Sequence, residues 1–227
     1  MIERYVTSTY EITDTYKIIS IDVKDVTVKM EASSDDSTEL VFLKDRNRQY
    51  AFDVQNDTLT VQSQKTKWYN LLRIGIQAPK IRIRVPKSIL EALSIKIAVG
   101  SVDVSSIVCQ GDVDIQTSTG KVNVYGISCK AFHAKADTGN VILNKLIAAD
   151  RVSVECNTGR VSLNDCIARE FFVKTNTGGI SGKLPSGTVF VVKTKTGKIE
   201  IPNKATIGEA ISARCEVKTN TGNIQFE

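Results

Sequence analysis

The sequence is poor in the residues that most catalytic and metal sites require. It contains one histidine and five cysteines among 227 residues. The cysteines are odd in number, irregularly spaced and without a C-x-x-C pair, which argues against a disulfide framework and against a cysteine and histidine zinc site. The motifs GxxxxGK followed by Ser or Thr, GxGxxG, HExxH and GxSxG are all missing. We therefore expect no cofactor and no metal.

Long apolar runs are missing as well. No stretch of about 18 or more apolar residues occurs, so we expect no membrane-spanning helix within these residues. The opening residues MIERYVTSTYEI lack the apolar core of a signal peptide.

The composition that remains is typical of strands in a globular protein. Hydrophobic residues make up 41% and charged residues 24% of the sequence, whereas aromatic residues make up only 6%. Valine, isoleucine and threonine are abundant, and β-branched side chains fit a pleated surface. The net charge of +5 permits association with anionic polymers but is low for a dedicated nucleic-acid binder, so we do not expect a nucleic-acid partner.

A glycine that recurs about every twenty residues defines a repeat. Its seven positions are Gly100, Gly120, Gly139, Gly159, Gly178, Gly197 and Gly222. Apolar residues alternate with polar ones at odd offsets before this glycine and at even offsets after it. Because a continuous strand cannot change parity, the chain must bend at the glycine. Each repeat is thus predicted to be two short strands joined at a glycine corner, with a second turn near its middle.

A unit of this size buries its apolar face only by stacking on another unit. The prediction is an all-β, parallel and right-handed β-solenoid of about seven 19–20-residue rungs, over residues 91–227. Each rung is expected to pair with the next one in sequence, about 4.8 Å away. The repeated Thr-Gly step is interpreted as a corner device, because glycine supplies the positive φ that a sharp corner needs.

Residues 1–90 lack the repeat but keep the strand alternation, for example in YKIISIDVKDVTVKM and KIRIRVP. A solenoid needs a cap over the open end of its core. This region is therefore predicted to be an irregular β cap that includes one or two degenerate rungs. The segment PKSILEAL is expected to add a short helical turn at the junction.

The repeats STGKV, DTGNV, NTGRV, NTGGI, KTGKI and NTGNI occur in tandem, and WYNLLRIG is followed by KIRIRVPKSILEALSIKIAVGSVDV. With these features most of the chain resembles a bacterial family of secreted or membrane-anchored proteins, the putative adhesins, which carry a domain of unknown function. The resemblance implies a surface-exposed β-solenoid and transfers no catalytic residues. It implies a cell-surface or extracytoplasmic location with an anchor upstream of these residues, while the residues themselves leave a cytoplasmic location open.

One constellation suggests chemistry. Asp114, His133 and Ser153 stand six residues before their glycines in successive rungs, in the carboxylate, imidazole and hydroxyl order of a nucleophilic triad. Nothing in the sequence supplies an oxyanion hole, so the main interpretation is three unconnected polar residues on a solvated face. The alternative function is a hydrolase or polysaccharide lyase on the outward face of the first rungs. Asp103 and Asp112 would then join Asp114 in binding calcium or sugar.

A basic stripe is the leading binding hypothesis. Its candidate residues lie four before or one after the repeat glycine: Lys96, Lys121, Lys135, Arg160, Lys174, Lys193, Lys198 and Lys218. An anionic partner, such as a cell-wall polymer, a lipid headgroup surface or a nucleic acid, would relieve the repulsion among stacked lysines, and a glycan is a further candidate ligand. The competing interpretation is a solvated face that discourages aggregation of the sheet. A surface protein of host or bacterium is a further possible partner.

Two smaller expectations concern the cysteines and the end of the stack. Cys109 and Cys129 share a column in adjacent rungs, close enough for a disulfide, although buried thiols are favoured because cysteine packs as a small hydrophobe. A third interpretation of the protein is purely structural, with the open last rung at Phe226 mediating self-association. The overall prediction is a non-enzymatic surface binding or scaffold protein.

Overall fold

The computed structural model describes residues 5–35, 37–45, 49–64, 79–87, 90–202 and 213–227, which form strands and turns with no helix among them. The first seven strands are β1 (Tyr5–Ile12), β2 (Ile18–Asp25), β3 (Thr27–Ala32), β4 (Thr38–Asp45), β5 (Tyr50–Gln55), β6 (Thr58–Ser63) and β7 (Lys80–Val85). The next seven are β8 (Ala92–Val99), β9 (Val102–Ser105), β10 (Val113–Thr119), β11 (Val122–Tyr125), β12 (Ser128–Thr138), β13 (Val141–Asn144) and β14 (Ile147–Thr158). The last seven are β15 (Val161–Asn164), β16 (Glu170–Thr177), β17 (Ile180–Lys183), β18 (Thr188–Thr196), β19 (Ile199–Glu200), β20 (Ala213–Thr221) and β21 (Ile224–Phe226).

These strands form two long sheets. The upstream sheet holds the strands that precede a corner, in the order β18-β20-β16-β14-β12-β10-β8-β2-β6-β5. The downstream sheet holds the strands that follow it, in the order β1-β4-β7-β3-β9-β11-β13-β15-β17-β21-β19. One continuous core of buried aliphatic and phenylalanine side chains draws on both sheets. The predicted all-β, solenoid-like architecture with parallel strands is confirmed.

The first ninety residues contribute to the same two sheets. Strands β2 and β3 form one rung, which pairs in parallel with β8 and β9, and β6 and β7 form another, which pairs in parallel with β2 and β3. Nine rungs can thus be counted in the described part of the chain. Antiparallel strands β1, β4 and β5 flank this end of the stack.

An aromatic cluster packs at that flanked end. The ring of Phe42, which is 2% exposed, lies 5.4 Å from the ring of Tyr50 and 5.8 Å from that of Tyr10, measured between centroids. The ring of Phe52 lies 4.8 Å from that of Tyr10. These antiparallel strands therefore cover the core where the parallel stack stops.

Two predicted segments fall wholly or partly outside the described residues. WYNLLRIG, at positions 68–75, lies entirely outside them, and PKSILEAL includes Ser88 and Ile89, which do as well. In the described part of PKSILEAL, Leu90 forms a parallel bridge with Cys109 and β8 begins at Ala92, with no helical turn.

The glycine corners are places of close backbone approach between successive rungs. All seven repeat glycines have φ between +139° and +155°, a region that side-chain-bearing residues rarely adopt. A Cβ on Gly139 would lie 1.9 Å from the carbonyl oxygen of Gly120, and a Cβ on Gly120 would lie 1.7 Å from that of Gly100. The glycines thus stack carbonyl against Cα, and the interpretation of Thr-Gly as a corner device is confirmed.

A column of buried hydroxyl groups supports these corners from inside, which the sequence analysis missed. The residue three before the glycine points inward, and in four rungs it is a threonine whose hydroxyl donates to the carbonyl of the glycine in the preceding rung of the stack: Thr117, Thr175, Thr194 and Thr219. Thr219 Oγ1 lies 3.1 Å from the Gly178 carbonyl, and Thr175 Oγ1 lies 3.3 Å from that of Gly159. Both threonines are at most 3% exposed. The TxTG pattern of these repeats could have predicted this column, because its first threonine occupies an inward-facing position.

The last two rungs do not follow sequence order, which corrects the prediction. Strand β20 pairs in parallel with β16 on one side and with β18 on the other, and β21 likewise lies between β17 and β19. Phe226 is therefore an interior residue, 4% exposed, and the end of the stack is the rung of β18 and β19.

The composition of the two rungs explains this exchange. The rung of β18 and β19 carries Lys193, Lys195 and Lys198, which are all exposed, and lysines suit an edge strand because they oppose further pairing. The rung of β20 and β21 instead buries Cys215, Val217 and Ile224 completely.

Replacement of Gly139 by alanine is predicted to destabilise the protein severely. A strained positive φ costs of order 1–3 kcal/mol, and the overlap with the Gly120 carbonyl adds to it, so the loss should exceed about 3 kcal/mol. The measurement is the free energy of unfolding in denaturant.

The matched control is Gly126→Ala. Gly126 has φ of +63°, but a Cβ there meets nothing within 4 Å, so the loss should be about 1 kcal/mol. Equal losses at both positions would show that the stacked carbonyls do not restrict the corner.

Candidate functional site

The lysines predicted four before the glycine form a register-locked column on the outer face of the upstream sheet. From the flanked end of the stack the column runs Lys96, Gln116, Lys135, Glu155, Lys174, Lys218 and Lys193. Because β20 inserts between β16 and β18, it places Lys218 between Lys174 and Lys193. The longest uninterrupted run of positive charge in this column is therefore those three residues, which we call the lysine triplet.

One local acid modulates the lysine triplet. Lys218 Nζ lies 2.5 Å from Glu216 Oε1, two residues earlier on the same strand. The hydrogen bond from Lys218 and its positive charge hold the pKa of the Glu216 carboxyl below its ordinary value. Both side chains are substantially solvated, so the pair contributes little stability, and Lys174 and Lys193 are the less encumbered members of the triplet.

The cations predicted one after the glycine do not form a continuous stripe. In the stack, Asn140 separates Lys121 from Arg160, while Gly179 and Asn223 separate Arg160 from Lys198. The asparagine side chains are engaged with the backbone: Asn140 Oδ1 accepts from the Arg160 amide at 2.9 Å, and Asn223 Oδ1 accepts from the Lys198 amide at 3.0 Å. These cations are spaced rather than stacked.

A shallow groove of about 320 Å³ runs beside the lysine column. It is lined by Lys135, Glu155 and Lys174 of that column and by Asn157, Asn176 and Asn220, which stand two residues further along their strands. Asn220 Nδ2 donates to Asn176 Oδ1, which joins two of these amides across neighbouring rungs. Lysines beside amides suit a ligand with both anionic groups and hydroxyls. The sequence analysis did not single out these asparagines as candidate binding residues.

The triad candidates are aligned but not connected. Asp114, His133 and Ser153 lie opposite one another on β10, β12 and β14, each half-buried. The Asp114 carboxylate accepts hydrogen bonds from Gln116 Nε2 at 3.1 and 3.3 Å. Among these described side chains, no hydrogen bond joins Asp114 to His133 or His133 to Ser153. The arrangement contains no proton relay.

The acidic candidates do not converge. Asp103 lies on β9 of the downstream sheet, where it accepts from Asn123 Nδ2 at 3.1 Å, whereas Asp114 lies on β10 of the upstream sheet. Within the described ranges, no group of three or more His, Cys, Asp or Glu residues could hold a metal ion. The structure therefore gives no support to calcium binding by Asp103, Asp112 and Asp114.

All five cysteines are free and buried, as favoured from the sequence. Desolvation by burial raises the pKa of the Cys129 and Cys215 thiols to about 12, and that of Cys166 to about 11. The thiols are therefore protonated packing groups at neutral pH, with none of the thiolate character that nucleophilic cysteines require.

The protein is predicted to lose stability as pH rises above about 9. The pKa of a thiol in the unfolded chain is near 9.0, whereas the folded values for Cys129 and Cys215 are about 12. The thiol contribution is fully present below pH 9 and is lost as pH rises towards 12, by up to about 1.4 kcal/mol per pH unit per thiol.

The measurement is the free energy of unfolding against pH in a reducing buffer. Because other groups also titrate in this range, the control is Cys215→Ala, whose profile should have a shallower slope above pH 9. Parallel profiles for the two proteins would contradict the raised pKa of Cys215.

No helix among the described residues is long and apolar enough to cross a membrane. The family model described as Toastrack DUF4097 matches residues 16–227. No curated protein matches the sequence.

A solved structure shares the fold at low sequence identity. A putative adhesin from Bacteroides fragilis is 17% identical with a TM-score of 0.53, and the match covers 99% of this chain and 98% of that one. A putative adhesin from Parabacteroides distasonis is 13% identical with a TM-score of 0.46, over 98% of this chain and 97% of that one.

Proposed function

This chain belongs to the Toastrack DUF4097 family, and we propose that it is a non-enzymatic binding or scaffold protein of the bacterial cell surface or extracytoplasmic space. Its ligand is an anionic or glycan polymer, such as a cell-wall polymer, which lies against the outer face of the upstream sheet. An anchor upstream of these residues holds it at the surface.

The observation that carries this proposal is the lysine triplet. Parallel in-register pairing fixes the Cα atoms of Lys174, Lys218 and Lys193 about 4.8 Å apart. Two like charges about 4 Å apart in water repel by about 1 kcal/mol, and an anionic partner converts this repulsion into attraction. The groove beside Lys174 adds amides that can bind hydroxyl groups.

The competing role for the same lysines is protection of the sheet from aggregation. Lys193 lies on the terminal rung, where such protection is needed, whereas Lys174 lies two strands further in. Protection of the edge requires only Lys193, whereas binding of an anionic polymer also requires the interior Lys218 and Lys174.

The triple variant Lys174→Gln, Lys218→Gln and Lys193→Gln is predicted to lose affinity for a soluble polyanion, with heparin and dextran sulfate as probes. If each exposed lysine contributes about 0.5–1 kcal/mol, the loss is about 1.5–3 kcal/mol. This corresponds to roughly 10- to 100-fold weaker binding, measured by isothermal titration calorimetry at two salt concentrations.

The matched control replaces Lys24, Lys80 and Lys130, three exposed lysines outside the column, by glutamine. It has the same net charge and should retain most of the affinity. Equal losses in the two variants would attribute binding to net charge alone. Failure of the wild-type protein to bind either probe at low salt would overturn the proposal.

A fluorophosphonate probe is predicted not to label Ser153, because the structure shows no His133 hydrogen bond that would activate its hydroxyl. The measurement is intact-protein mass spectrometry after incubation, with Ser153→Ala as the control. Labelling of the wild type that disappears in Ser153→Ala would instead support the hydrolase alternative.

A further inference from the structure

The lysine column changes character from each rung to the next. Every second position from Lys96 onward is an exposed lysine, and we call this set the alternating lysines: Lys96, Lys135, Lys174 and Lys193. Among the described residues, none of these four forms an ion pair. Their charges are therefore available to a ligand at intervals of two rungs.

The three positions between the alternating lysines offer no free cation. Gln116 is neutral, and its amide donates to the Asp114 carboxylate at 3.1 and 3.3 Å. Glu155 carries the opposite charge. Lys218 is a cation, but its Nζ lies 2.5 Å from Glu216 Oε1, so the two charges largely offset one another. Free positive charge on this face thus has a period of two rungs.

Glu155 is the position where this alternation is sharpest. It lies in register between Lys135 and Lys174, with Cα atoms about 4.8 Å apart. Within the described part of the chain, Glu155 forms no ion pair with either lysine, so all three charged groups can meet a ligand. Asp137 adds a second carboxylate to the same groove. A polymer with an anionic group on every unit would be repelled at these carboxylates.

The period of the alternating lysines selects a polymer by the distance between its anionic groups. Two rungs span about 10 Å along the stack. Two pyranose units of an extended glycan have about this length. A glycan with a carboxylate on every second sugar would therefore place each carboxylate at an alternating lysine, and would place an uncharged sugar at the position between.

The groove beside Glu155 suits an uncharged sugar that carries an acetamido group. Asn157 lies two residues beyond Glu155 on β14, and both line the groove. An ionised carboxylate only accepts hydrogen bonds, whereas an asparagine amide both donates and accepts them. An acetamido group can thus donate its N–H to Glu155 and accept at its carbonyl from Asn157. Asn176 and Asn220 present amides on the next two rungs.

We infer, on the basis of the binding role proposed for this face, that the ligand is a linear acidic glycan with carboxylates on alternate sugars and N-acetyl groups on the sugars between. The glycan lies along the stack, with its carboxylates at the alternating lysines. Glu155 determines specificity, because it binds the N-acetylated sugar and disfavours polymers that are charged on every unit.

The first experiment compares two oligosaccharides of equal length, each long enough to span the alternating lysines. Hyaluronan has a carboxylate on alternate sugars and N-acetyl groups on the others, whereas oligogalacturonate has a carboxylate on every sugar. Isothermal titration calorimetry gives the ratio of the two affinities. Glu155→Lys should shift this ratio towards oligogalacturonate by roughly fivefold, because it replaces the repelling carboxylate with a cation.

The matched control is Glu170→Lys, which makes the same change of charge at an exposed residue of β16 outside the column and the groove. It should leave the ratio of the two affinities unchanged. A ratio that does not move in Glu155→Lys, or that moves equally in both variants, would overturn the role of Glu155.

The second experiment tests the period with single glutamine variants. Lys135→Gln should weaken hyaluronan binding as much as Lys174→Gln does, by roughly two- to fivefold. Lys218→Gln should weaken it less, because Lys218 lies opposite the uncharged sugar. For dextran sulfate, which is charged on every unit, the order should reverse: Lys218 belongs to the lysine triplet, whereas Lys135 lies beyond Glu155.

The outcomes separate this inference from the proposed function. A wild-type protein that binds neither heparin, dextran sulfate nor hyaluronan at low salt would overturn both. Binding of heparin or dextran sulfate without binding of hyaluronan would overturn the alternating-glycan inference alone. A larger loss of hyaluronan affinity in Lys218→Gln than in Lys135→Gln would do the same.

Discussion

The fold depends on the contact between successive glycines at the corner. The carbonyl oxygen of one repeat glycine occupies the space that a Cβ would need on the glycine in the next rung of the stack, and the positive φ of each is matched to that approach. This constraint restricts each corner to glycine at the separation and register that the parallel strand pairing gives the rungs. Once it is met, the inward columns align over one another, and threonine hydroxyls such as that of Thr219 satisfy the glycine carbonyls from inside.

Sequence predicts this architecture well because the corner leaves a periodic signal. The parity change on either side of Gly139 or Gly159 indicates a bend, and the alternation on each side gives the inward face, as the structure confirms. The order of the last two rungs was not predictable in the same way. Rungs 188–200 and 213–226 share the same columns, so the pattern is equally consistent with either order. The order is decided by the free energy of solvent exposure: exposing Cys215, Val217 and Phe226 would cost more than exposing the lysine-rich rung.

The candidate site is likewise predictable from the sequence where it depends on the repeat, and it is not predictable where it depends on the conformation of individual side chains. Register places Asp114, His133 and Ser153 in one column, as their offsets indicated, yet hydrogen bonding depends on side-chain rotamers that offsets do not encode. The Asp114 carboxylate meets Gln116 on its own strand instead of His133. The lysine triplet, by contrast, arises from the inserted rung, which brings together lysines that are 44 and 25 residues apart in the chain. The groove, with its hydrogen-bonded pair Asn176 and Asn220, depends on strand neighbours in the same way.

The exchanged rungs also bear on how the molecule can be made. Residues 188–200 are synthesised before residues 213–226, yet in the native stack they form the terminal rung and the later residues form the rung next to it. At the other end the order is also exchanged, because the rung of β6 and β7 lies beyond that of β2 and β3 although β8 and β9 follow β7 in the chain. A stack that simply grew as the chain emerged would put 188–200 against β16 and β17. Either the edges of β16 and β17 stay unpaired until β20 and β21 form, or residues 188–200 leave those edges when the later rung forms. Vectorial folding therefore does not reach the native order of the rungs by itself.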